Sequence, residues 1–142
     1  MLDRAKEISE SYNRQMIEFC RRLVRTPSVP GEEKAVSDLF FEEMQSLAYD
    51  EVFRDDWGNI VGIIRGSEPG PVIMYNGHLD HVTPGDPEQW EGYDPYGADV
   101  DECPMYDQEM KQEETVKVIH GRGTADLKGG AAAQVYAGGI IA

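Results

Sequence analysis

The sequence is short of cysteine, of basic residues and of long apolar runs, and each shortage excludes something. It has two cysteines, Cys20 and Cys103. They form no C-x-x-C pair, which argues against a cysteine-based metal site. Reduced thiols in a cytoplasmic protein are the expectation. Thirteen Lys and Arg against 27 Asp and Glu give a formal charge of −14. That balance disfavours nucleic acid and anionic membranes, because affinity for phosphate backbones and acidic lipids comes from paired cations. No apolar stretch approaches the roughly 20 residues of a membrane span. The opening "MLDRAKEISE" is polar and lacks the apolar core of a secretory signal.

What is present suits a folded domain. The 142 residues are 40% hydrophobic and 28% charged, a globular rather than a disordered composition. Ala5, Ile8, Tyr12, Met16, Phe19, Cys20 and Leu23 recur at three- and four-residue steps, predicting a helix over about 3–25. "RTPSVPGEE" breaks it, and Val36, Leu39, Phe40, Met44 and Leu47 predict a second helix over about 32–47. "DEVFRD", "DWGN" and "IVGIIRG" read as strand, turn and strand, over about 50–55 and 59–65. "VIMYNG" reads as a further strand over about 71–77, of the kind buried on both faces. Residues 84–114 are acidic and aperiodic, with Lys111 the sole basic residue, and read as a long surface excursion. "TVKVIHG" returns to strand character over about 115–120, and an alanine-rich helix begins near 127. The fold class expected is α/β, a sheet covered by helices whose layers look unfinished at Ala142, so the chain reads as truncated.

Two motifs carry chemistry. "YNGHLDHV" (75–82) follows the apolar run, and ligands in open α/β sheets gather outside the carboxyl ends of strands. His78 and Asp80, two residues apart, project to the same side of an extended chain. A carboxylate so placed can fix the tautomer of a metal-bound imidazole, although an isolated H-x-D also serves structural or surface roles. The second motif, "HGRGTADLKGG" (120–130), is nearly a phosphate loop. A dinucleotide fingerprint would place its third glycine at 126, where the chain has Asp126, and Lys128 lacks the flanking residues of a Walker loop. Asp126 by itself reads equally as a helix N-cap. An acid at one strand end and a His–acid pair at another point instead to a shared cation.

Together "GHLDHV" and "GRGTADLKGG", about forty residues apart, resemble the N-terminal signatures of the M20 metallopeptidases. These zinc amidohydrolases include acetylornithine deacetylase, succinyl-diaminopimelate desuccinylase, aminoacylase-1 and carboxypeptidase G2. The resemblance extends along the chain through "TPSVPGEE", Gly58-Asn59 and "DPY" at 94–96. It implies a zinc-exopeptidase-like mixed sheet covered by helices, of which residues 1–142 are the N-terminal portion, with the family's dimerisation domain absent. It further implies that His78 binds one metal, that Asp126 bridges two, and that Asp80 is the active-site carboxylate behind the metal-bound His. The cofactor would be two zinc ions, with cobalt or manganese fitting nearly as well. His81 and His120 fall at positions without a ligand role, while Arg122 and Lys128 shape the loop.

The family's mechanism needs more than these residues. A Glu–Glu pair, one member the general base, comes some thirty residues after the bridging Asp, and another metal-binding His comes later still. Glu113-Glu114 precedes Asp126 and is not assigned that role. The expectation is therefore a fragment of a dinuclear hydrolase acting on peptides or N-acyl amino acids, inactive alone and homodimeric only where the missing domain is present. The alternative of a different class is a non-catalytic acidic module that binds a cation or a partner protein through 84–114.

Overall fold

The computed structural model describes residues 2–141. Helix α1 (Leu2–Arg25) and helix α2 (Lys34–Ser46) are followed by a hairpin of β1 (Glu51–Arg54) and β2 (Ile60–Ile63). A 3-10 turn (Pro87–Trp90), a second hairpin of β3 (Val100–Asp107) and β4 (Gln112–Ile119), a helical turn (Thr124–Lys128) and helix α3 (Gly129–Ile141) complete the chain. No helix is long and apolar enough to cross a membrane among the described residues.

Both early helices form where the apolar stripes predict them. The stripe of α1 is buried only towards its C-terminal end, where Phe19, Cys20, Leu23 and Val24 enter the core with Val36 and Phe40 of α2 and Ala131, Ala132, Val135 and Tyr136 of α3. Phe19 meets the Phe40 ring edge-on at 5.3 Å, and Tyr136 stands 6.1 Å from Phe19. Such aromatic pairs add stabilisation beyond the area they bury. Polar clamps surround them. Glu43 accepts from Tyr136 and pairs with Arg22 at 3.1 Å, while the Tyr49 hydroxyl donates to the Val135 carbonyl at 2.9 Å. Burial, followed by the Glu43 contact, pushes the Tyr136 hydroxyl well above the ordinary tyrosine range.

The strands depart from the expected single sheet. β1 and β2 pair antiparallel (Val52 opposite Gly62), β3 and β4 pair antiparallel (Cys103 opposite Val116), and the two ribbons remain separate. The α/β content stands, whereas no mixed sheet joins the described residues. The stretch 71–77 is not a strand. Val72, Ile73, Met74 and Tyr75 are 94, 74, 83 and 73% exposed. A strand exists only with a neighbour to take its backbone hydrogen bonds, and nothing in the described chain lies alongside this one. The excursion 84–114 is also corrected, since it contains β3 and part of β4. Most residues of β3 are exposed and its half-buried positions, Cys103 and Asp107, do not form an apolar alternation, while Pro104 is tolerated because each strand of a two-stranded ribbon keeps one free edge.

Lys128 joins the last third of the chain to the first. Its ammonium is buried (1% residue exposure) and donates to the carbonyls of Leu23 and Thr26, both at 2.8 Å. These oxygens lie at the C-terminus of α1, where carbonyls lack helical partners and attract a cation. Burial pulls the Lys128 pKa down to about 8, against a smaller opposing influence of Cys20. A folded-state value below the unfolded one means stability is gained as pH rises from about 8 towards 10.5 and lost as pH falls through 8. Lys128→Met should therefore destabilise the chain by about 1–3 kcal/mol near neutral pH, since it orphans two carbonyls. Urea unfolding should show the gap between wild type and variant widening from pH 7.5 to 9.5; a gap that narrows would contradict this account.

Candidate functional site

The site is built by three segments that have little regular structure of their own. The loop after α1 supplies Ser28, whose N–H donates to His81 Nε2 at 2.9 Å and whose hydroxyl donates to the Leu79 carbonyl at 2.7 Å. The His81 N–H returns a bond to the Ser28 carbonyl at 2.9 Å, and Nδ1 donates to the Val82 carbonyl at 2.8 Å. His81 is thus a buried, neutral imidazole with both nitrogens satisfied, a structural residue as its position suggested. Ser28, fully buried, is the positioning residue that the sequence did not single out. Nothing about a serine in a Pro-rich loop marks it as a partner for a histidine 53 residues away.

The third segment is the glycine-framed turn. Gly123 has φ +79°, and a Cβ there would stand 3.1 Å from His81 Cβ. At Gly121 a Cβ would collide with Val24 Cγ1, in the fully buried core. These glycines let the turn lie flat against the end of α1 and the 79–82 segment. Arg122 anchors the far side: its backbone N–H donates to the Pro95 carbonyl at 2.7 Å, its guanidinium to the Pro84 carbonyl at 2.8 Å, and the same group lies 5.1 Å above the Trp90 ring. Trp90 donates to that Pro84 carbonyl at 3.0 Å, a packing role.

Held this way, His78 and Asp126 meet. His78 Nε2 lies 2.9 Å from Asp126 Oδ1, while Nδ1 lies 3.0 Å from the Asp80 carbonyl and 3.3 Å from Asp80 Oδ1. Asp126 is not the N-cap of α3. The turn starts at Gly123 without a side-chain cap, and the Asp126 carboxylate, 88% exposed, is committed to His78. His120 stays apart, stacked on Tyr93 at 4.0 Å with Nε2 3.6 Å from Asp101 and near Cys103 at the base of the second hairpin. Glu113 and Glu114 are exposed on β4.

Two ligands on one tetrahedral zinc ion, each about 2.0–2.2 Å from it, stand roughly 3.3–3.6 Å apart. The His78–Asp126 separation of 2.9 Å is that of a direct hydrogen bond, so the two side chains would part by a few tenths of an ångström to share an ion. Among the described residues, however, no group of three or more His, Cys, Asp or Glu side chains is arranged to hold a metal ion. The chain brings His78, Asp126 and Asp80 together, not a closed coordination shell. Without a cation both ring nitrogens of His78 face oxygen acceptors, which only the imidazolium satisfies as a double donor. The Asp126 contact, then the Asp80 carbonyl, raises the His78 pKa above its ordinary 6.5. A raised folded-state value means that protonated His78 supports the fold below about 6.5 and loses that contribution as pH rises through the folded pKa.

The chain is similar to longer proteins along nearly all its length. It is 37% identical over 142 residues to "Uncharacterized protein YgeY" of Escherichia coli strain K12, covering 99% of this chain and 30% of that one. It is 32% identical over 123 residues to a succinyl-diaminopimelate desuccinylase of Stutzerimonas stutzeri (85% of this chain, 28% of that one). To the same enzyme of Hahella chejuensis it is 29% identical over 119 residues (82% and 27%). The chain therefore spans about 30% of the length of the curated relatives it matches. No family model matches the chain, and no solved structure does. The chain is a distant homologue of succinyl-diaminopimelate desuccinylases, a likeness that supports an M20-like family without selecting a member of it.

An NMR titration of the His78 ring should find a midpoint above 6.5, and Asp126→Asn should move it down towards the ordinary value. An unshifted midpoint in the wild-type chain would show that the two side chains are not paired in solution.

Proposed function

We propose that this chain is an M20-like N-terminal portion of the catalytic domain of a metal-dependent hydrolase acting on amide bonds of small peptides or N-acyl amino acids. The observation that carries the proposal is the convergence of His78 and Asp126, 48 residues apart in sequence, to 2.9 Å with Asp80 behind the imidazole. The likeness to desuccinylases supports it from an independent direction.

In this reading His78 holds a divalent cation through Nε2. Asp126 would contribute a second, carboxylate ligand, and Asp80, on the Nδ1 side, would keep the ring oriented and basic. Zinc is the ion that best suits a His and carboxylate set, with cobalt or manganese close behind. Such an ion, when bound, supplies Lewis acidity towards a scissile carbonyl and an activated water. The residues of this chain do three other things. They present two donors on one open edge, they hold the histidine ring in one orientation, and they fix the turn that carries Asp126 against the end of α1. A proton and a cation compete for His78 Nε2, so cation affinity should fall in acid as the imidazolium forms.

The whole enzyme's activity belongs to more polypeptide than this, because a general base and further ligands are needed. A missing general base typically costs about 10²–10⁴-fold in rate. The 142-residue chain should accordingly bind zinc weakly at pH 7.5 and show no turnover of N-acetyl amino acids above a metal-only blank. Zinc titration followed by a competing chromophoric chelator is the direct test. His78→Ala and Asp126→Ala should each weaken binding by at least about tenfold, and Asp80→Ala by about 10–100-fold if its carboxylate orients the ring. Undiminished zinc affinity in both ligand variants would refute the assignment.

A further inference from the structure

The chain has three asparagines, Asn13, Asn59 and Asn76, and the fold treats them differently. Asn13 lies inside α1, where the N–H of the following Arg14 belongs to the helical hydrogen-bond ladder. Asn59 donates through Nδ2 to Asp55 Oδ2 at 2.8 Å, and the β-branched Ile60 that follows it pairs with Arg54 in the first hairpin. Asn76 has neither restraint. It is exposed, as are Tyr75, Gly77 and His78 around it. Among the described residues, neither its side-chain amide nor the Gly77 N–H is hydrogen-bonded to protein. The residue after it is glycine, which has no Cβ to obstruct the approach of its nitrogen to the preceding side chain. No backbone hydrogen bond ties 71–77 into a helix or ribbon, so the dihedrals around the Asn76–Gly77 peptide are free to turn.

We infer that Asn76 is a site of spontaneous covalent modification, a deamidation in which the Gly77 main-chain nitrogen is the nucleophile and water the co-reactant. That nitrogen bonds to Asn76 Cγ and closes a five-membered imide, while the Cγ–Nδ2 bond breaks. The Gly77 amide proton ends on the departing Nδ2, which leaves as ammonia. Water then adds to one of the two imide carbonyls. Cleavage at Cγ yields aspartate; cleavage at the main-chain carbonyl of residue 76 yields isoaspartate, with the chain rerouted through the side-chain carbon. Nothing is oxidised or reduced. Either product adds one negative charge to a chain already at −14. The isoaspartyl form also inserts a methylene into the main chain immediately before Gly77. A Cβ at Gly77 would stand 3.0 Å from Leu127 Cδ2 and 3.5 Å from Gln134 Oε1, so the backbone there lies close against both side chains. A lengthened chain disturbs that contact and the path into His78. On the proposed reading of His78 as a ligand, the same change ages the cation edge, a consequence that rests on that reading whereas the modification itself does not.

The test ages the full 142-residue chain at pH 7.5, folded and in denaturing urea, and follows each asparagine by peptide mass mapping. Cleavage after Arg65 and Lys111 gives a peptide in which Asn76 is the single asparagine, and deamidation makes it heavier by the difference between OH and NH2. A methyl-acceptor assay specific for isoaspartyl carboxyls identifies the product. In the folded chain Asn76 should convert while Asn13 and Asn59 remain intact. Unfolding should change the Asn76 rate by no more than about threefold, because the fold gives that peptide no protection, and should speed Asn13 and Asn59. Asn76→Gln, which could close only a six-membered ring, should abolish the isoaspartyl signal. Unfolding that speeds Asn76 by more than about tenfold would reveal a native restraint at Asn76–Gly77 and overturn the inference. An isoaspartyl signal that survives Asn76→Gln, or folded-state conversion of Asn59 as fast as that of Asn76, would overturn it too. A fresh chain that binds no zinc would count against the hydrolase reading alone, since the mass readout needs no metal.

Discussion

A single buried ammonium holds the architecture together. Lys128 reaches back more than a hundred residues to the Leu23 and Thr26 carbonyls, ending α1 and pinning the turn that carries Asp126. Burying a cation is unfavourable unless it is hydrogen-bonded, and the helix terminus supplies carbonyl oxygens for two of the three ammonium N–H groups together with the negative end of the helix dipole. The close approach that results forbids a side chain at Gly121, and it sets Gly123 against His81. His81 then locks to Ser28, and the segment between Leu79 and Val82 is fixed. His78 meets Asp126 because both ends of this chain of contacts are tied to the C-terminus of α1.

The parts of the fold legible in the sequence are those whose burial is periodic. α1 and α2 announce themselves because Phe19, Leu23, Val36 and Phe40 repeat on one side. The β1–β2 hairpin shows through its Asp-Trp-Gly-Asn turn (56–59), which the preceding Asp55 caps by accepting from the backbone of Trp57 and Asn59. β3 was hidden for the opposite reason. β3 is mostly exposed and so free to carry Asp101, Glu102 and Pro104, whereas the half-buried Val116, Val118 and Ile119 of its partner β4 keep the apolar rhythm that marks a strand. The apolar run at 72–75 has the opposite problem, a strand composition with no neighbour to pair with.

At the site, the glycine spacing and the anomalous Asp126 were readable, and so was the placement of Lys128 and Arg122 in the loop's construction. The contact between His78 and Asp126 was not deducible from spacing alone, since it depends on 48 intervening residues folding back. Ser28 was invisible because its role is purely geometric. The Asp126 cap was a reasonable local reading that lost to a tertiary partner. An imidazole two residues from Asp80 competes better for that carboxylate than the first N–H groups of a short helical turn.

The separation between local and distant contacts has a kinetic meaning. Each ribbon pairs strands close in sequence, and α1 and α2 are adjacent, so these elements need little loop closure to form. The Lys128 bonds close loops of 105 and 102 residues, and the entropy of closure must be met before those contacts return any stabilisation. Helices and hairpins therefore need little closure entropy to form, whereas the approach of residue 128 to α1 carries the larger closure cost. The His78–Asp126 contact spans 48 residues and depends on that approach, so the two side chains meet only through the long-range part of the fold.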